Sequence, residues 1–476
     1  MVPSSGKPAP ATTSMPAITS EWLRGQLSRC GDVSLKSVVR TVPDAERQVR
    51  YTVAYVPGMV DFRYVQTMFD NDGSLAFDIE ANPLIRRLDP GPEGKGVFEQ
   101  LFGGQIILLN ESTNVLFVVD SPGQPARSIE ESTLELSVKG PRDGFVETIA
   151  VNLSLIRTRL RTPKLGAEWF TLGTESQTQV CLLWMEGITS PDVVEEARKR
   201  LNGIDILVLH GAGELEVTIA DRSIAMVPTI AYVGRPDFVV QSLMNGRFAI
   251  LVDGSPAALV APVNVSYLVK SPEDAYLPFY FVSFERFIRL ASFLLAGMLP
   301  GFWLALLAYN NDQVPFTLLA TVTMSRFGLP LSPQMELYLM VFMFEIFREA
   351  GVRLPRAVGQ TVTVVGGLIV GDAAIRAGLT SPTMLVITAV TAVSTFTLVN
   401  QSLNGSVTVI RLFIITAAAF LGLFGFFVSV FAVLLYLCSL ESFGMPYMQP
   451  LAPIEFRKLF TAVLQLPWKY RAKRSS

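Results

Sequence analysis

The sequence predicts an α/β cytoplasmic amino-terminal domain of two subdomains, followed by an α-helical multipass membrane domain. Three observations predict it. Half of the 476 residues are hydrophobic and only 17% are charged, and a mean hydropathy of +0.41 is too apolar for a soluble chain of this length. The apolarity is uneven: residues 286–440 carry long uncharged runs, while residues 21–285 alternate short β-rich and helix-patterned segments. The first twenty residues, rich in Pro, Ser, Thr and Ala, lack the apolar core of an export signal, so the domain after them is expected in the cytoplasm.

Residues 1–20 are expected as a disordered tail, 21–130 as the first α/β subdomain and 131–285 as the second. In the first, RQVRYTVAYVPGMVD reads as a strand ending in a Pro-Gly turn, RYVQTMFD as a helix, and QIILLN with NVLFVVDS as paired strands. In the second, TLELSVKGPRDGF reads as a strand running into a turn. Ile149, Leu153, Ile156 and Leu160 are spaced as one face of a helix. TQVCLLWMEGI is expected as a strand and SPDVVEEARKRLNGI as a helix capped by Ser190 with Pro191 at its first position. DILVLHGAG is expected as another strand, and RFAILVDGSPAALVAP as a hairpin turning at Asp253-Gly254.

Residues 286–440 are expected as the transmembrane helical domain and 441–476 as a basic cytoplasmic tail. About 20 apolar residues cross a bilayer core of roughly 30 Å. Residues 290–309, 358–375, 383–400 and 412–440 meet that need. Pro300 should kink the first, and the last should bend near Gly422 and Gly425. Residues 314–347, interrupted by Glu336 and Glu345, are expected to be interfacial or re-entrant.

Enzyme chemistry has little to stand on. The one histidine, His210, has no partner set in sequence for a triad or a metal site. Cys30, Cys181 and Cys438 form no CxxC, and no phosphate-binding glycine motif occurs. A net charge of −2 gives no basic face for nucleic acid. No cofactor and no catalytic residue is therefore expected.

Two features carry functional weight. FEIFREAGVRLPRAVGQ (344–360) places Arg348, Glu349, Arg353 and Arg356 between apolar segments, where charge is costly; Gly351 is expected to end its first helix. TVTVVGGLIVGDAAI (361–375) follows, with a small-residue pair, Gly367 and Gly371, that lets helices approach closely. Gln360, Thr363 and above all Asp372 make that segment polar for a membrane helix; Arg376 lies one turn on and is a ready partner for Asp372.

Six blocks, in one order, resemble the A subunit of the GerA family of spore germinant receptors: VKGPRDGFVETIAVNLSLIRTRLRTP, GRPDFVVQSLMNGRFAILVDGSPAALVAP, SPEDAYLPFYF, VPFTLLATVTMSRFGLPLSP, MFEIFREAGVRLPRAVGQTVTVVGGLIVGDAA and LYLCSLESFGMPYMQPLAP. Asn310, Asp312 and Gly234 depart from the family's usual His, Glu and Glu. The resemblance implies a multipass protein of the inner spore membrane. It implies a homo-oligomer, a pentamer in the family's pattern, acting as a nutrient-gated channel for monovalent cations. The partners implied are a transporter-like B subunit, a lipoprotein C subunit and membrane lipid, without nucleic acid. Arg348, Glu349, Arg353 and Arg356 would couple the domains, and Gln360, Thr363, Gly367, Gly371 and Asp372 would serve the pore or its packing. Arg142, Asp143, Arg235, Asp237 and Asp253 would be structural or interface residues of the soluble part. The alternatives are a solute transporter, or a scaffold-type paralogue associated with the sporulation-stage-V A operon that lacks nutrient gating.

Overall fold

The computed structural model describes residues 18–42, 47–61, 85–91, 94–120, 132, 135, 137–353, 370–465 and 467. They divide into an α/β unit (residues 1–133, 142–219 and 233–260) and a helical unit (134–141, 220–232 and 261–476).

Among the described residues there are two five-stranded sheets, both lying largely in the α/β unit. The first contains β1 (Ser34–Val42), β2 (Arg47–Tyr55), β3 (Ile85–Arg87), β4 (Ile106–Asn110) and β5 (Leu116–Val119), in the order β1-β2-β4-β5-β3 with every neighbour antiparallel. Side chains alternate across a strand, and here both faces are apolar. Ala54, Ile107, Leu109 and Val118 meet Leu23 and Leu27 of α1 (Ser20–Leu27) and Val97 and Leu101 of α2 (Lys95–Leu101). Val53, Tyr55, Ile106, Leu108 and Val119 form the core of the opposite face. Thr19 caps α1, its hydroxyl accepting from Trp22 N at 3.2 Å.

The second sheet contains β6 (Leu165–Leu172), β7 (Thr178–Met185), β8 (Ala231–Val233), β9 (Phe248–Val252) and β10 (Ala258–Ala261), ordered β6-β7-β9-β10-β8. α3 (Ile149–Arg159) and α6 (Pro236–Leu243) pack on each other and on β9. α4 (Pro191–Asn202) starts at Ser190 and Pro191 as the sequence predicts, and packs with α5 (Ala212–Ile219). The two sheets are joined at a buried ion pair. Arg157 on α3 donates twice to Asp32, at 2.6 Å through both Nε and Nη2, and its remaining donors reach the carbonyls of Thr162 and Leu165 at 3.1 and 3.0 Å. Its guanidinium also lies 4.5 Å from the Phe102 ring centre. Each of its three buried nitrogens thus has an acceptor, which is the condition for tolerating such a pair.

Two expected strands do not form. Residues 204–211 are irregular: the carbonyls of Ile206 and Leu207 accept from the 174–176 turn, and Leu207 and Val208 stay exposed. In the described part of TLELSVKGPRDGF there is also no strand, because Lys139 N and Gly140 N donate to the Glu273 carboxylate instead of to a ladder. The helix expected over RYVQTMFD lies outside the described residues.

The helical unit is built on α7 (Phe279–Tyr309), α8 (Phe316–Arg326), α9 (Pro333–Arg353), α10 (Pro382–Phe396) and α11 (Gln401–Cys438). α7 packs chiefly on α11 and α10. At Gly301 a Cβ would come within 2.7 Å of Ile414, so the close approach of α7 to α11 needs glycine there. α7 begins eleven residues before the expected span because its charges are paired: Arg286 and Arg289 reach the buried Asp274 carboxylate at 2.7 and 2.8 Å. Pro300 lies inside it. α9 runs through Gly351 to Arg353 rather than ending at that glycine.

α11 breaks at Gly422, with φ 63° and ψ −142°. The freed groups find partners on α7's end: Leu423 N donates to Asn310 Oδ1 at 3.4 Å, and Tyr309 OH donates to the Ala419 carbonyl at 2.6 Å. α10 is shorter than the expected span 383–400. It stops at Phe396, and Asn400 caps α11 by accepting from Ser402 N at 2.9 Å. Among the described residues, two helices are long and apolar enough to cross a membrane, Phe279–Tyr309 and Ser402–Cys438. After α11, β11 (Glu441–Ser442) and β12 (Met445–Pro446) form a small hairpin. Ser442 Oγ donates to the Thr229 carbonyl at 2.7 Å and accepts from Val263 N at 3.1 Å.

Candidate functional site

The charges of the helical unit converge where α9, α10 and α11 meet. α9 contributes Glu345 and Arg348, one turn apart, and α11 contributes Thr408 and Arg411, also one turn apart. Such spacings put each pair on one helix face. Glu345 accepts from both Arg348 and Arg411. Thr408 Oγ1 accepts from Arg348 at 3.1 Å and from Arg411 at 3.4 Å, and donates to Glu345 Oε1 at 3.3 Å. Arg411 also reaches Thr395 Oγ1 on α10 at 3.4 Å. Arg411 is 3% exposed; its Nε has no partner among the described residues. The cluster borders a cavity of about 280 Å³ with mostly apolar walls from Val341, Phe344, Phe347, Val393 and Phe396. Among the described residues its ionisable lining is Glu345, Arg348 and Arg411, two cations against one anion.

A second buried carboxylate lies on the other end of α9. Glu336 is fully buried and accepts from Ser381 N and Ser381 Oγ at 2.6 Å and from Thr380 Oγ1 at 3.1 Å, so it holds the start of α10. Negative charge is favourable at a helix N-terminus. Arg326 stands 3.5 Å away.

The sequence candidates separate. Arg348 belongs to the cluster, whereas Glu349 is exposed on α9. Arg353 ends α9, and nothing is described of its side chain; Arg356, Gln360, Thr363 and Gly367 lie outside the described residues. Gly371 packs against Leu385, which a Cβ would meet at 3.2 Å. Asp372 pairs with Arg376 at 2.8 Å, and both are largely exposed.

In the α/β unit, Asp253 Oδ1 accepts from Ile149 N at 3.0 Å and so caps α3. Arg235 and Asp237 form a buried bidentate pair at 3.0 and 2.7 Å beside the start of α6. Asp143 pairs with Arg159, and Arg142 is exposed. His210 sits in the irregular 204–211 segment with its ring 3.0 Å from Glu214, whose carboxyl is held below its usual range by the His210 backbone N–H first and the ring second. Burial raises the Cys30 thiol, and all three cysteines are free. A cleft of about 850 Å³ in this unit carries matched charge: Arg198 pairs with Glu168 and Glu195, and Arg29 with Glu186.

Arg411, Thr408, Asp32 and Arg157 are not among the residues singled out from sequence. Arg411 had a signal, as a lone cation directly before the uncharged run 412–440. Asp32 and Arg157 had none, since they lie 125 positions apart in the sequence.

The family described as Bacillus/Clostridium GerA spore germination protein matches residues 21–476. Spore germination protein XA of Bacillus anthracis is 38% identical over 410 residues, covering 86% of this chain and 83% of that protein. Spore germination protein KA of Bacillus subtilis (strain 168) is 32% identical over 448 residues, covering 92% and 82%. The crystal structure of the N-terminal domain of the A subunit of the Bacillus megaterium spore germinant receptor GerK3 aligns at 25% identity with a TM-score of 0.37, covering 52% of this chain and 96% of that one.

Proposed function

The chain belongs to the Bacillus/Clostridium GerA spore germination protein family, and from that premise we propose that it is the A-type subunit of a nutrient germinant receptor. The observation that carries this reading is the extent of the match: it runs through both the α/β unit and the helical unit. In the proposal the α/β unit is cytoplasmic and the helical unit is a multipass domain of the inner spore membrane. Copies of the chain assemble into an oligomer that passes monovalent cations when a nutrient binds. A transporter-like B subunit and a lipoprotein C subunit complete the receptor, and the chain performs no catalysis.

Two features of the helical unit support conduction. Thr388, Thr391, Ser394 and Thr395 give the buried side of α10 a polar character that a core helix in a soluble protein would not need. The break in α11 at Gly422 gives a long apolar helix a point at which it can bend. Cation flux into liposomes holding the chain with its B-type and C-type partners tests the proposal. Nutrient-dependent flux is expected; its absence, with all three proteins present and folded, would exclude the channel.

A further inference from the structure

Among the described residues, the cluster on α9 and α11 sets two cations against one anion. Arg348 and Arg411 share the single carboxylate of Glu345, and no other acid lines the cavity among the described residues. Arg348 is partly exposed, with 28% of its side chain accessible, and water can screen it. Arg411 meets far less water, because only 4% of its side chain is accessible. Its Nη atoms are engaged by Thr395, Thr408 and Glu345, and its Nε is a buried donor with no acceptor among the described residues. A buried donor without an acceptor and a buried charge without a full counter-charge are both costly. Glu345, Arg348 and Arg411 all line the cavity of about 280 Å³.

We propose that the cavity between α9, α10 and α11 is a binding site for a small aliphatic monocarboxylate, its carboxylate on Arg411 and its hydrocarbon end among Phe344, Phe347, Val393 and Phe396. A carboxylate matches the planar donors of a guanidinium better than a spherical ion does. One surplus cation calls for one anionic charge, which favours a monoanion over a phosphate. The apolar walls gain from burying a short hydrocarbon chain and would gain nothing from chloride or acetate. A free α-amino acid fits less well, because its ammonium would need a second anion and Glu345 is already shared by two arginines. The volume limits the chain to a few carbons. This site is separate from the conducting role proposed above and stands or falls without it.

Calorimetric titration of the full-length chain in lipid nanodiscs, with empty nanodiscs subtracted, tests the site. Hexanoate is the probe, with acetate, chloride and myristate as comparisons at constant ionic strength. Saturable hexanoate binding is expected, at least tenfold tighter than acetate or chloride and tighter than myristate. Arg411→Gln should weaken hexanoate at least tenfold. That change also alters the pairing of Glu345, so Ala392→Leu provides an independent arm: it fills the cavity from α10, touches no charge, and should abolish hexanoate binding while the chain melts as before. The proposal is overturned by any of three results. These are no saturable hexanoate binding to the unmodified chain, hexanoate less than tenfold tighter than acetate or chloride or no tighter than myristate, or undiminished hexanoate binding in Ala392→Leu.

Discussion

Single residues show that position in the fold, more than residue type, decides what a charge is worth. Asp32 and Arg157 lie 125 residues apart and are almost wholly buried together. Breaking such a pair leaves one uncompensated charge inside, at a cost of about 3–5 kcal/mol. Asp32→Ala should therefore lower unfolding stability by that order, measured by thermal or denaturant melting. By contrast Glu195→Ala at the exposed rim of α4 should cost under about 1 kcal/mol. Glu216 on α5 gives a pH signature. Burial raises its carboxyl from 4.5 to about 7. Between those values the folded chain holds a proton that the unfolded chain has released, so stability falls as pH rises through that window. Glu216→Gln should raise the melting temperature at pH 8, leave it nearly unchanged at pH 4, and flatten the slope between. The partner of Asp32 was not legible in the sequence, because a buried ion pair has no local pattern, whereas the acid–base pairs along α4, such as Glu196 with Arg200, follow from helical spacing. Glu336 and Glu345 illustrate the same point: read along the chain they argue against burial, yet in the fold one carboxylate holds the start of α10 and the other joins α9 to α11.

Elements were far more legible than their partners. The paired strands at QIILLN and NVLFVVDS, the strand TQVCLLWM, the helix after Ser190-Pro191 and the helix bearing Ile149, Leu153 and Ile156 all form where pattern and punctuation place them. DILVLH failed because a short apolar run reads as a strand whether or not a neighbour supplies a ladder; here a turn takes its carbonyls instead. The bend of α11 was readable because glycine tolerates a conformation that other residues do not. At Gly422 an added Cβ would lie 2.9 Å from the Tyr309 side chain, in a backbone region nearly closed to other residues. Gly422→Ala should cost on the order of 1–3 kcal/mol and, in the receptor, change cation release without changing membrane accumulation. Asp372→Ala, which removes the exposed pair with Arg376, should alter germination kinetics at normal protein abundance, read by immunoblot beside the germination assay.

At the scale of the whole molecule, composition foretold an apolar carboxy-terminal half, and the structure gives it two helices long enough to cross a membrane among the described residues. Hydropathy alone could not separate α10 from a span. Its apolar run continues to residue 400, but the hydrogen bonds that end α10 and cap α11 divide it. Length matters here, since the 15 residues of α10 extend only about 22 Å against a core of roughly 30 Å. The α/β unit and the helical unit fall within one family match, which accords with both serving the one nutrient-responsive receptor subunit proposed above. The most direct test is cation release from spores of a strain stripped of its other germinant receptors, with this chain and its partner subunits either present or deleted. At least one nutrient mixture should trigger prompt monovalent cation release only when the chain is present. Identical release with and without the chain, across a full panel of amino acids, sugars and nucleosides, would contradict it.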